Sequence, residues 1–260
     1  MKKLSKSLVL SVAVASALAG NAVAEESGGF LGVELGASAS LQEAKITGSI
    51  GDNSKTYSKN FDAYGFNAGV VAGYKAFFTS WFGLRGYANL NYIHTLGNEK
   101  VGEETKMNGN QTETWTKYQD YTIGALNYGV NLDLLFNVLA FEEANLGLFA
   151  GVGLGANTFI TSKAIDAAKK QVGQDADFAN KVGDGFNDIK DKTYTGFDAW
   201  LNVGIRTNFL THHELEVLAK VPFVGTTAYN KTIGVAGVSA NAKVKYYIPW
   251  NVNLRYIYSF

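Results

Sequence analysis

The feature that most constrains this chain is a two-residue rhythm of apolar side chains. Residues 30–41 read FLGVELGASASL, with Leu31, Val33, Leu35, Ala37, Ala39 and Leu41 on one parity. Glu34, Ser38 and Ser40 share the other parity with glycines. Successive side chains of a strand point to opposite faces, so this segment reads as a strand with one greasy and one polar side. The rhythm returns at 63–76, 82–94, 122–136, 145–160, 195–209, 213–223 and through 241–260. Beyond residue 24, no apolar run reaches the about 20 residues that a membrane helix requires.

The start of the chain says where such strands would go. Residues 1–24 read MKKLSKSLVLSVAVASALAGNAVA. Lys2, Lys3 and Lys6 precede a short apolar stretch, and Ala22-Val23-Ala24 forms a small-residue cleavage site. That is the layout of a bacterial secretory signal peptide, with the mature chain starting at Glu25. Cysteine is absent from the sequence, so neither a lipid anchor at a cysteine nor a disulfide framework is available. Formal charge is zero, from 23 basic and 23 acidic residues, and nothing points to nucleic acid. An exported chain of alternating strands, rich in Gly and Tyr and poor in Pro, is expected to be an all-β, antiparallel transmembrane barrel over 25–260 in the outer membrane of a Gram-negative bacterium.

Eight strands fit best, with ten the alternative, since single-chain barrels have even strand counts. The links alternate in length. Those near 77–81, 137–144 and 210–212 are short, whereas 42–62, 95–121, 161–194 and 224–240 are long and polar. Short turns belong on the periplasmic side and long loops outside. Phe77, Phe78, Trp81, Phe82 and Phe209 would form one aromatic girdle, with Tyr92 and Phe223 in the other. The final stretch keeps one parity from Ala242 to Phe260. A two-residue hairpin at Pro249-Trp250 would invert that parity, so one strand with a bulge or kink at Pro249 is expected. Leu254, Tyr256, Tyr258 and Phe260 would close the cylinder onto its first strand, and the pattern resembles the C-terminal signal read by the barrel-assembly machinery.

The inward parity carries charge. Glu34, Arg85, Asp133, Arg206, Glu216 and Arg255 fall mainly in the periplasmic half, three acids against three bases. An eight-stranded interior is just wide enough for side chains to fill, and buried charges require partners. These six are therefore expected to form a salt-bridged plug. Against it, Gly147, Gly151, Gly153 and Gly155 would thin one wall, and Lys243 and Lys245 could line an outer vestibule of a narrow pore. Over 161–194, Ile165, Val172, Val182 and Phe186 follow helical spacing and suggest a helical cap over the mouth.

Six stretches also carry a family likeness: GLRGYANLNYIH (83–94), NYGVNLDLLFNV (127–138), LGLFAGVGLGANTF (146–159), FDAWLNVGIRTNF (197–209), THHELEVLAKVPFV (211–224) and YYIPWNVNLRYIYSF (246–260). Together they resemble the Helicobacter-type outer membrane proteins, the Hop/Hor group. The resemblance implies an integral outer-membrane barrel in a family that includes adhesins and porins. The chain lacks the long N-terminal surface domain and loop cysteines of the large adhesins.

No catalytic constellation emerges. His212 and His213 fall in a periplasmic turn, where adjacent side chains point opposite ways and cannot share a metal. His94 lies near the outer rim without a serine beside it on its strand. The sequence therefore predicts no enzyme, metal or cofactor. The expected partners are outer-membrane lipids, the barrel-assembly machinery during insertion, and a host or surface ligand, for a structural and adhesin-like role. A narrow porin-type channel for small solutes is the alternative.

Overall fold

The computed structural model describes residues 25–50, 53–108, 111–140, 144–161, 193–209, 211–235 and 238–260. The expected signal peptide (1–24) and the expected cap residues Ile165, Val172, Val182 and Phe186 lie outside the described residues. Among the described residues there are nine strand segments: β1 (Gly28–Ile50), β2 (Asn53–Phe77), β3 (Phe82–Asn108), β4 (Gln111–Ala140), β5 (Ala144–Thr161), β6 (Thr193–Phe209), β7 (His213–Pro222), β8 (Thr226–Val235) and β9 (Val238–Ser259).

Every neighbour is antiparallel, and the ring runs β1-β2-β3-β4-β5-β6-β7-β9 before β9 returns to β1. β7 and β8 both lie along β9, His213–Lys220 against its last turn of chain and Thr226–Val235 against its first. They are two halves of one position, with pairing to β9 interrupted over 221–225, so the ring has eight positions. Pro222 has no amide hydrogen to give the ladder, a physical reason for the break there. This corrects the reading of 224–240 as a polar loop. The same holds for 42–62 and much of 95–121, where β1–β2 and β3–β4 continue as paired ribbons.

The outer face is apolar along the ring: Leu31, Val33, Leu35, Val70, Leu90, Val130, Leu132, Leu154, Val203 and Leu254 are all exposed. Aromatic side chains mark its two ends. Phe78, Trp81, Tyr258 and Phe260 sit at the short-turn end; Tyr64, Phe66, Phe197 and Phe223 sit towards the long hairpins. Alternation thus gives an apolar band between aromatic girdles, the surface a bilayer requires. At the short-turn end, Phe78 N–H donates to Phe82 O at 3.1 Å, and Thr211 adopts φ 65° in the turn before β7.

The seam explains why the chain stays ordered to its last residue. Leu31 lies opposite Tyr258, Val33 opposite Tyr256 and Leu35 opposite Leu254. Phe260 N–H donates to Gly29 O at 2.9 Å, and Ser259 N–H donates to His212 O at 2.8 Å. The terminal residue is therefore tied to the first strand.

The seam also holds the main departure from the sequence reading. The 241–260 segment is one strand, but its parity is not continuous. Ala39 faces Trp250, whereas Leu41 faces Tyr247, so β9 carries one extra residue at Ile248-Pro249. A bulge of one residue turns all later side chains to the other face. Asn251, Asn253, Arg255 and Ile257 point inward on one side of it, and Val244, Tyr246 and Ile248 point inward on the other. Lys243 and Lys245 consequently sit on the outer face and do not line a vestibule. Since the chain has no native cysteine, single-cysteine labelling reads this directly. Lys245→Cys in the folded, detergent-solubilised barrel should react readily with a water-soluble maleimide, and Val244→Cys should react far more slowly until the barrel is unfolded; the reverse order would place the bulge elsewhere.

Candidate functional site

The interior is built by register. Arg85 on β3 lies opposite Asp133 on β4, Arg206 on β6 opposite Glu216 on β7, Glu216 opposite Arg255 on β9, and Arg255 opposite Glu34 on β1. Opposite charges on facing strand residues attract across about 5 Å between Cβ atoms. The hydrogen-bond ladder thus sets all six expected charges at neighbouring levels on the inner face, each of them buried.

Their ion pairs form a connected net. Arg85 Nη2 donates to Asp133 Oδ2 at 2.9 Å, and its Nη1 donates to Glu216 Oε1 at 2.5 Å. Arg255 donates through Nε to Glu34 Oε2 at 2.9 Å and through Nη1 to Glu216 Oε2 at 3.1 Å. Glu216 therefore bridges two guanidinium groups. Tyr87 lies between the same two cations, its ring 5.2 Å from Arg85 and 5.0 Å from Arg255. Arg206 joins through a residue outside the expected six: its Nε donates to Glu214 Oε1 at 2.7 Å.

A second level, nearer the short turns, joins Lys75 and Glu214, whose parity also reads as inward, to one group the sequence reading missed, Glu25. Lys75 Nζ donates to Glu214 Oε2 at 3.1 Å and to Glu25 Oε1 at 2.6 Å. Arg206 Nη2 also donates to Glu25 Oε1, at 2.5 Å, and Asn208 Nδ2 does so at 3.2 Å. Glu25 precedes β1 and belongs to no alternating pattern, so periodicity could not assign it. The available signal was charge: Lys75 and Arg206 meet here with Glu214 as the one strand-borne acid at their level, one carboxylate short.

Towards the long hairpins the charges give way to amides. Asn131 Nδ2 donates to Asn89 Oδ1 at 2.9 Å, Asn89 to Asn127 at 3.0 Å and Asn127 to Asn157 at 2.7 Å. Asn157 in turn donates to Asp198, which also accepts from Ala199 N–H and Val224 N–H. Asp198 thereby holds the start of the Val224 segment, a loop-packing role. Trp200 lies among these amides, its Nε1 donating to Asn131 Oδ1 at 2.7 Å, with Lys220 Nζ 4.3 Å from its ring centre. Two glycines of that wall make room for this indole. A β-carbon at Gly153 would fall on Trp200 Nε1, and one at Gly155 would come within 2.9 Å of the ring. The glycines thin the wall and Trp200 fills the space.

Above the amides the lumen is mainly apolar, with Gln42 buried in the same rows, opposite Phe61 and Tyr246. Phe61, Ile93, Tyr121, Ile123, Phe159, Val244, Tyr246 and Ile248 pack into one buried cluster. Phe159 stacks on Tyr246 with ring centres 5.2 Å apart, and Tyr121 meets Phe61 edge-on. Three of these residues reach the interior only through the Pro249 bulge.

The expected chain-end residues Leu254, Tyr256 and Tyr258 lie on the outer face of β9, and Phe260, just past its end, is exposed as well. His213 Nδ1 is 2.6 Å from Tyr256 OH and its ring stacks on Phe209, within the lower girdle. His94 is half-buried beside Phe66 and Tyr92, within the upper one. Beyond the ring, β3 and β4 run on as a two-stranded ribbon, because β2 leaves β3 at Leu96 and β5 leaves β4 at Ile123. Trp115, Tyr118 and Met107 are exposed on this ribbon. Lys117 pairs with Glu104 at 2.8 Å and Lys100 with Glu103 at 2.5 Å. The hydrogen bond from Lys100 holds the Glu103 carboxyl below its ordinary range.

The family model described as "Helicobacter outer membrane protein" matches residues 69–260. None of the curated proteins matches the chain in sequence. Among solved structures, the chain is similar to Neisserial surface protein A (NspA) at 11% identity, covering 91% of this chain and 100% of that one with a TM-score of 0.35. It is similar to Ail, the attachment invasion locus protein of Yersinia pestis, at 13% identity, covering 86% and 98% with a TM-score of 0.25. The outer membrane protease OmpT from Escherichia coli is similar at 8% identity, covering 89% and 97% with a TM-score of 0.26.

Removing one member of a buried charge net leaves its partners uncompensated, at a cost of about 3–5 kcal/mol. Arg85→Met should therefore lower unfolding stability in lipid by that order, and adding Asp133→Leu should recover part of it. Urea titration of the reconstituted barrel, with Asp133→Leu alone completing the cycle, checks this; a double-variant loss equal to the sum of the two single losses would show that the pair is not coupled.

Proposed function

We propose, since this chain belongs to the Helicobacter outer membrane protein family, that it is a closed outer-membrane barrel whose work is done by its outward ribbons and not by transport. The observation that carries this reading is the filling of the lumen at successive levels. Two charged levels, an amide level with Trp200, and the apolar cluster around Phe159 and Tyr246 follow one another along the axis. Ions and polar solutes cross an apolar cluster of that depth only with large desolvation cost. In this reading Glu34, Arg85, Asp133, Arg206, Glu216 and Arg255 serve as a permanent plug that holds the wall together.

Processing after Ala24 would make Glu25 the first residue, free to enter the lower mouth between Lys75 and Arg206. Leu254, Tyr256, Tyr258 and Phe260 would present the signal for the barrel-assembly machinery. The chain then acts as an anchor without catalytic chemistry. The β3–β4 ribbon extends about 40 Å beyond its last pairing with β2, at about 3.3 Å per residue. It offers Trp115, Tyr118 and paired charges, a surface composition common to protein contacts, for adhesin-like interaction with a host or surface ligand.

A narrow solute channel is the competing reading. It draws on the amide level, where Asn251 Oδ1 and both polar atoms of Asn253 have no protein partner. Buried groups of that kind take water, so the middle of the lumen is the place where a water path would start.

Planar-bilayer recording of the purified protein separates the two. The closed reading expects no resolvable steps from wild type, and none from Tyr246→Gly alone because the charged levels remain. Regular ion-selective steps from wild type would establish the channel instead. Replacing 99–119 by Asn-Gly, a turn compatible with the facing pair Asn98–Asp120, should leave heat-modifiable folding intact and remove cell adherence. Unchanged adherence would exclude the ribbon.

A further inference from the structure

We propose that Lys45 and Lys243 form a binding site on the outside of the barrel for a phosphate on the sugar headgroup of the outer-leaflet glycolipid. The seam register sets Lys45 on β1 opposite Lys243 on β9. Both point outward, because their neighbours Ala44 and Val244 belong to the apolar cluster inside. Like charges directly opposite each other on one sheet face repel.

The same protein shows what such a pair requires. Inside the barrel Lys75 lies opposite Arg85, and Glu214 is set between them, 3.1 Å from Lys75 and 3.5 Å from Arg85. On the outer face, no described carboxylate pairs with Lys45 or Lys243. Lys245, one row below, does lie opposite an acid, Glu43, which accepts from Tyr247 OH at 3.3 Å. The flanking positions in the lysine row, Ser58 and Asn230, are uncharged hydrogen-bond formers. Two cations with a polar rim and no internal counter-charge describe a site for an external anion.

The level of the site selects the source of that anion. Lys243 stands four residues beyond Tyr247, the last outward-facing ring of β9 and the upper edge of the girdle there, one row past the level of Tyr64. At about 3.3 Å per residue and a strand tilt near 40°, that is roughly 10 Å past the aromatic girdle. Girdle aromatics sit at the headgroup boundary, so the two ammonium groups lie in the layer of headgroup sugars and their phosphates. They also face lipid laterally, whereas a site for a free solute would open towards the water-filled space above. Placing the site in the outer leaflet rests on the long-hairpin end facing outward.

Titration of the purified full-length barrel in nonionic detergent tests the proposal, with native mass spectrometry counting bound lipid. The probes are lipopolysaccharide, the same lipid after enzymatic dephosphorylation, and inorganic phosphate. Wild type should hold the phosphorylated lipid and lose affinity for the dephosphorylated form. Each of Lys45→Gln and Lys243→Gln should weaken binding roughly fivefold, the scale of one basic residue at an anionic surface. Lys45→Arg/Lys243→Arg should retain it, and all variants should keep heat-modifiable mobility. Equal binding of the two lipid forms, or an undiminished double glutamine variant, overturns the proposal. Displacement of the lipid by an equal concentration of inorganic phosphate overturns the lipid as its source.

Discussion

In the hydrocarbon of a bilayer no water is available to a backbone amide, so every strand of this chain needs a neighbour on both sides. The β1–β9 seam meets that demand, and the remainder follows from it. Closure with eight positions fixes an interior only as wide as its own side chains. Alternation then sends every second residue into that interior whether or not it is apolar. The inward set must consequently satisfy itself, residue by residue, without help from solvent.

The ladder does this by setting complementary groups at the same level. Arg85 meets Asp133 and Arg255 meets Glu34 because they are hydrogen-bonding neighbours before they are ion pairs. Size is complementary as well as charge. Gly153 and Gly155 on β5 leave the volume that Trp200 on β6 occupies. Where the ladder cannot supply a partner, a group from elsewhere does, as Glu25 does for Lys75 and Arg206.

Most of the fold was legible in the sequence because a period of two leaves a strong trace. Glu34, Arg85, Asp133, Arg206, Glu216 and Arg255 all read as inward from parity alone, and their levels follow from counting along strands. What was not legible has physical causes. Pro249 signals the bulge, but an unbroken apolar parity gives no sign that the one added residue reverses the faces of β9 beyond it. Val244, Tyr246 and Ile248 look as suited to lipid as to a packed interior, so composition could not decide their side. Hydrophilic stretches such as 42–62 read as loops because ribbons outside the membrane need no apolar face. Glu25 was hidden by lying ahead of the first strand.

The central claim is a closed ring whose last strand switches faces at Pro249, and disulfide mapping across the seam tests it most directly. Leu35→Cys with Leu254→Cys should cross-link in the folded barrel under mild oxidation, since these positions face each other. Beyond the bulge, Ala44→Cys should link to Val244→Cys, its partner in the shifted register, and not to Lys245→Cys, its partner in an unshifted one. Linkage to position 245, or no linkage at either site in folded protein, would contradict the account.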